Sequence, residues 1–203
     1  MLDSHRGYDP GALVMARALA AALKAPLVSS TVSRLLIDIN RPLGHPQLYS
    51  AVTRDAPAPL RAQIAARHHR PYWVQVERLV SQAVSRGRRV IHISSHSFTP
   101  VLNGQVRRAD VGLLYDPARH GESALCARWK AALAECASAL RVRRNYPYQG
   151  KADGLTAQLR LRFPPQAYVG IELEINQNIT RAAGPRWTAL RSLLIHSLRA
   201  ASC

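Results

Sequence analysis

The chain has 203 residues, of which 47% are hydrophobic, so it is long and apolar enough to bury a globular core. It holds no stretch of the ~18 apolar residues that a membrane-spanning helix needs. Lys and Arg number 28 against 12 Asp and Glu, a formal net charge of +16. Yet the only lysines are Lys24, Lys130 and Lys151, the arginines are dispersed, and aromatics are 6%, which argues against a dedicated nucleic-acid surface.

The first 27 residues read as an amphipathic helix rather than a signal peptide, because Arg17 and Lys24 interrupt the Ala/Leu run. The helix is expected over Pro10 to Lys24, with Asp9 as N-cap and Pro10 in the first turn. "PLVSSTVSRLLIDINR" is rich in β-branched residues and predicts a strand ending in a loop; 42–59 is a further loop. Helical spacing covers Leu60 to Ser85, with a break expected near Pro71. Arg89 to Ser94 predicts a short strand, and "VGLLYDP" another. Glu122 to Leu140 is helical, "LRVRRNYPYQG" is strand then turn, "AYVGIELEIN" is a strand, and Pro185 to Ala200 closes the chain as a helix. Cys126, Cys136 and Cys203 match neither a disulfide framework nor a zinc-finger spacing, which points to a reducing cytoplasm.

Alternating helices and strands predict an α/β fold: one domain over 1–203, three layers α/β/α, with a mixed, mostly parallel sheet. In open α/β sheets, sites collect beyond the carboxyl ends of strands. Polar clusters are expected there in "SRLLIDINR", "SHSFTP", "RNYPYQG" and "ELEINQ". His96 sits between Ser95 and Ser97, where an imidazole can ligate a metal. Alone, one histidine is weak support for zinc, which takes three or four ligands, and a histidine satisfied by its serines is the simpler reading. Glu172 and Glu174 are two apart and share one face of a strand, either as a solvated acidic edge or as a general base. Arg34 and Arg41 flank Asp38 and Asn40, an arrangement that can grip a carboxylate or merely pair internally. Asn145, Tyr146 and Tyr148 surround a proline turn. His68, His69 and Tyr72 in "RHHRPYW" read as a structural knot.

Taken in order, "HRGYDPGA", "SRLLIDINRP", "HHRPYW", "SSHSFTPV", "ADVGLLYDP", "RNYPYQG" and "GIELEINQNI" resemble the N-formylglutamate amidohydrolase family from His5 to about Ile179. The resemblance implies a fold like that of zinc carboxypeptidases and aspartoacylases, and hydrolysis of a small N-acyl amino acid by zinc-activated water. It implies a metal-ligand role for His96 and a general-base role for Glu174. It gives Asn40 and Arg41 the substrate carboxylate, Arg34 the scissile carbonyl, and Asn145 and Tyr148 the pocket lining. The family's early metal ligands precede the "HRGYDPGA" motif, which here begins at His5. One ligand, His96, is therefore firmly placed, zinc binding is expected to be weak or absent, and the first strand of the sheet is expected to be missing. His5, His45, His69 and His92 are candidate substitutes. The alternatives are a non-catalytic relative that binds a small carboxylate and, less favoured, a basic nucleic-acid binder. A missing strand would leave an edge open to pairing, but the sequence does not specify an oligomer.

Overall fold

The structure, a computed structural model, describes residues 7–182 and 184–202. Among these, the elements run α1 (Ala12–Leu23), α2 (Ala58–Ile64), a π-helical turn (Ala65–His69), α3 (Arg70–Val84), β1 (Val90–Phe98), β2 (Val101–Leu102), β3 (Gln105–Val106) and β4 (Val111–Leu114). They continue with α4 (His120–Cys136), β5 (Val142–Arg144), α5 (Leu155–Arg162), β6 (Tyr168–Asn176), α6 (Gln177–Thr180) and α7 (Pro185–Ser202). The chain forms two compact units. The first takes Gly7 and Tyr8, Val28–Val90 and Asp153–Tyr168; the second takes Asp9–Leu27, Ile91–Ala152 and the described chain from Val169 onward.

In the first unit, Val76 and Val80 of α3 pack with Leu155 and Leu159 of α5 and with Tyr168. Ile37, Leu48 and Ala65 form a second cluster, joined by Val32, Leu36 and Ile39. The strand expected in "PLVSSTVSRLLIDINR" is absent: residues 25–57 hold neither helix nor strand. Its apolar residues feed that second cluster, and its backbone pairs locally, with Leu36 N–H donating to Ser33 O and Arg41 N–H to Asp38 O. β-branched content records burial on a packed surface, and a folded loop can supply that as well as a sheet can. The break expected near Pro71 is also replaced. Proline lacks an N–H and crowds the carbonyl four residues before it. Here the π turn Ala65–His69 leads directly into α3, which carries Pro71 in its first turn.

The second unit holds a four-stranded sheet in the order β1-β6-β4-β5. β4 and β5 are parallel, with Val111 opposite Val142, whereas β4 and β6 are antiparallel, with Gly112 opposite Glu174. The α/β class with a mixed sheet is as the sequence predicts. Alternation sends Val111, Leu113, Val169, Ile171, Leu173 and Ile175 to one face, against Met15 and Leu19 of α1, Trp129 and Leu133 of α4, and Leu190 and Leu194 of α7. Each fully buried side chain of this size contributes about 1.5–3 kcal/mol relative to exposure. Trp129 also donates its indole N–H to Ser197 Oγ at 3.0 Å, so the deepest aromatic leaves no polar atom stranded.

Strand β1 runs four residues beyond the predicted end at Ser94, so His96 lies within the strand and not after it. The buried Phe98 anchors this extension. Asn103 and Gly104, both at positive φ, then close the β2–β3 hairpin, in which Val101 pairs with Val106. Asn-Gly is the dipeptide that such a two-residue turn favours, so this hairpin had a sequence signal that went unread.

Candidate active site

The face of the sheet opposite α1, α4 and α7 gathers Ser94, His96, Glu172 and Glu174. Because Ile171, Leu173 and Ile175 point to the helices, Glu172 and Glu174 point the other way. Glu174 is only 6% exposed, so this is not a solvated acidic edge. On the neighbouring strand β1, Ile93 packs toward the helices and Ser95 donates its hydroxyl to Ala12 O, which leaves Ser94 and His96 on the same face as the two glutamates.

His96 is held at both ring nitrogens. Nδ1 lies 2.9 Å from Asp9 Oδ2, and Nε2 lies 3.0 Å from Ser94 Oγ. Burial pulls the imidazole toward the neutral form. The hydrogen bond and charge of Asp9, followed by the charges of Glu174 and Glu172, outweigh burial and raise its pKa to about 9. Near neutral pH the ring is therefore a cation donating from both nitrogens. The chain of contacts Asp9–His96–Ser94 has the connectivity of an acid–base–hydroxyl relay, but a protonated imidazole cannot accept the serine proton. Asp9 was expected to cap α1. Instead Gly11 occupies the N-cap without a side-chain bond, only the Asp9 carbonyl serves the helix, through Ala12 N–H at 3.2 Å, and the carboxylate serves His96.

The "RNYPYQG" turn meets the same face. Gly112 stands opposite Glu174, and a Cβ built on it would overlap the carbonyl oxygen of Tyr146 and reach 3.3 Å from the Glu174 Cβ. The absence of a side chain is thus what lets the turn lie over β4 beside Glu174. Asn145, at positive φ, accepts at its side-chain oxygen from Tyr115 N–H at 3.0 Å and from Gly150 N–H at 3.1 Å. Its oxygen is committed to holding the turn. Tyr148 is 45% exposed, and its hydroxyl accepts from Arg107 at 3.0 Å.

The "DINR" loop belongs to the first unit. Arg34 Nε lies 3.6 Å and Arg41 Nε 3.9 Å from Asp38 Oδ2, so both expected substrate-facing arginines carry an internal carboxylate. Arg41 also donates to Asp153 O at 2.8 Å. The Asn40 side-chain oxygen accepts from Leu155 N–H at 3.1 Å, supplying from outside the cap that α5 lacks at its own N-cap Gly154. The loop is clamped from "HHRPYW": Trp73 donates to Ile39 O at 2.7 Å, and His69 Nε2 bonds Arg41 O at 2.7 Å. The two rings stack with centroids 4.9 Å apart. Burial lowers the His69 pKa against the pull of the Arg41 carbonyl and of Asp38, so the ring is neutral and Nε2 carries the proton. His69 thus serves to hold the loop.

Zinc is the metal that the resemblance implies. A ligating histidine normally donates its second ring N–H to a carboxylate, and Asp9 on His96 Nδ1 fits that orienting role. The ligand count does not fit. Among the described residues no group of three or more His, Cys, Asp or Glu side chains could hold a metal ion. Of the proposed substitutes, His45 accepts from Gln47 N–H, His69 is spent on the clamp, and His5 lies outside the described residues. The Nε2 position that a metal would need is turned to Ser94.

The structure of gene product Atu2144 from Agrobacterium tumefaciens matches with a TM-score of 0.83 at 32% identity, covering 98% of this chain and 79% of that one. N-formylglutamate amidohydrolase from Ralstonia eutropha JMP134 matches in fold, with a TM-score of 0.70 at 23% identity, covering 94% of this chain and 80% of that one. A comparison with curated proteins finds no match. The N-formylglutamate amidohydrolase family pattern matches residues 1–180, a span that takes in "DINR", His96 and Glu174 alike, and the chain belongs to that family.

Proposed function

We propose that the chain hydrolyses the amide of a small N-acyl amino acid, with N-formylglutamate as the first substrate to try. The observation that carries this reading is a buried Glu174 on the same sheet face as His96, whose ring is held by Asp9, in a chain of this family. Glu174 takes a proton from the attacking water and passes it to the leaving amine. The His96 cation offsets the negative charge that grows on the amide oxygen. The family resemblance gives Asn40 and Arg41 the substrate carboxylate and Arg34 the carbonyl, while Asn145 and Tyr148 shape the pocket. Their internal partners make each of these a role to be tested by its own variant. The described donors do not complete a metal site, so in this reading Glu174 moves the proton and His96 supplies the positive charge. No helix among the described residues is long and apolar enough to cross a membrane. The free Cys126 and Cys136 support a reducing cytoplasm as the setting.

The test is formate release from N-formyl-L-glutamate, followed by proton NMR with and without added zinc. Turnover that disappears in Glu174→Gln supports the reading. No turnover of N-formyl or N-acetyl acidic amino acids under either condition overturns it. The donor count favours one second reading, a relative that binds a small carboxylate without cleaving it. It requires thermal stabilisation by N-formylglutamate with no formate produced.

A further inference from the structure

A cavity of about 300 Å³ opens in the second unit where β6 ends and β4 begins. Its walls carry four guanidinium groups, Arg107, Arg108, Arg141 and Arg186, and a single carboxylate, Asp110. Asp110 is only 6% exposed and already fully engaged. Arg141 grips it as a fork, Nε to Oδ2 at 3.1 Å and Nη2 to Oδ1 at 3.1 Å, and adds its backbone N–H to Oδ2 at 3.0 Å. Burial raises the Asp110 carboxyl, but these bonds and the charges of Arg141 and Arg186 outweigh it and hold the group below the usual carboxylate range. It stays ionised and neutralises one arginine.

Among the described residues, the other three arginines have no carboxylate of their own. Arg186 approaches Asp110 only to 3.8 Å. Arg107 contacts the Tyr148 hydroxyl at 3.0 Å and stacks over that ring at 5.0 Å, both neutral partners. Arg108 makes no hydrogen bond or ion pair among the described residues. Nearby backbone carbonyls are also spoken for: Asn176, 4% exposed, donates its amide to Arg107 O at 3.2 Å and to Ala109 O at 2.8 Å. Among the lining residues, arginines therefore outnumber carboxylates by four to one. Concave walls of one sign concentrate the field and draw in the opposite charge. Guanidinium groups match the planar oxygen pairs of phosphate and carboxylate.

We propose that this cavity binds a small multivalent oxyanion, a phosphate ester or a polycarboxylate, through Arg107, Arg108 and Arg186 while Arg141 remains on Asp110. A compact ligand is favoured over a nucleic acid because the arginines lie around one cavity of modest size and not along a stripe. The inference goes beyond the hydrolase reading and does not depend on it.

The test is calorimetric titration of the full chain with pyrophosphate and, separately, with citrate, at ionic strength held constant with NaCl. Saturable one-to-one binding is expected with at least one probe, and the stronger probe identifies the anion class. The exposed pair Arg108→Ala/Arg186→Ala lowers that affinity by roughly ten-fold or more, the scale of one lost charged hydrogen bond. The charge-matched pair Arg17→Ala/Arg86→Ala leaves it within about two-fold. Equal losses in both pairs, absence of saturation with both probes, or duplex DNA binding that the cavity pair abolishes while neither probe binds would each overturn the proposal.

Discussion

The two units treat charge in opposite ways. In the second, His96, Glu172 and Glu174 share one sheet face with Asp9 against the imidazole, and burial there opposes the His96 charge that Asp9 and the two glutamates favour. In the first, Arg34, Asp38 and Arg41 sit in a partly exposed loop, where water screens the pairs and their distances of 3.6 and 3.9 Å mark loose contacts. The contrast separates two kinds of polar cluster. A strand face that concentrates like-charged carboxylates around one cation gains little in stability that apolar residues would not supply better, which points to chemistry. A loop whose polar atoms close on its own neighbours is a built scaffold.

The sharpest way to break this contrast is Glu174→Gln. It should lower the turnover of N-formylglutamate by at least about 100-fold with thermal stability little changed, as loss of a general base does. A comparable fall in stability without loss of turnover would make the strand cluster structural. Next in size is Asp9→Asn. The His96 pKa of about 9 lies above its ordinary 6.5, so the pair's stabilisation is fully present below pH 6.5 and is lost as pH rises through 9. Urea denaturation should show wild type exceeding the variant by up to about 3 kcal/mol at pH 6, with the gap closing by pH 10. A gap independent of pH would show that Asp9 acts by packing alone. In the loop, Arg41→Ala should raise KM roughly ten-fold and leave kcat near its wild-type value, the mark of lost ground-state binding. Unchanged KM would leave Arg41 as a strut for Asp153. The smallest effect is expected for Trp73→Phe, which loses the bond to Ile39 O and should cost about 1 kcal/mol in chemical denaturation. An effect below the error of that measurement would mean that the His69 contact holds the loop alone.

The strand cluster was more legible in the sequence than the loop. Period-two alternation in "YVGIELEIN" assigns Glu172 and Glu174 to one face without any tertiary information, and the structure agrees. "PLVSSTVSRLLIDINR" has a similar composition, yet it forms no strand, because its apolar residues are taken by Leu48 and Ala65 from later in the chain. Helix α5 escaped notice for a related reason. "LTAQLRLR" has no N-cap of its own, and the oxygen that serves it comes from Asn40, 115 positions earlier. The partnership of Asp9 with His96, 87 positions apart, was hidden in the same way. Local patterns register what neighbours do, whereas these contacts depend on where a distant segment comes to rest.

Gly112 lies where three separate segments meet, its own strand, the turn at Tyr146 and the strand of Glu174. With any side chain there, the Tyr146 carbonyl would have to leave its seat over β4 and the contact with Glu174 would tighten. Positions 112, 146 and 174 are therefore not free to drift separately over evolutionary time. A lineage that replaced Gly112 first would lose the seat of the turn before it gained anything, so change here must begin with the 145–147 turn. The same order binds anyone redesigning the pocket: the turn has to be rebuilt before the glycine is touched.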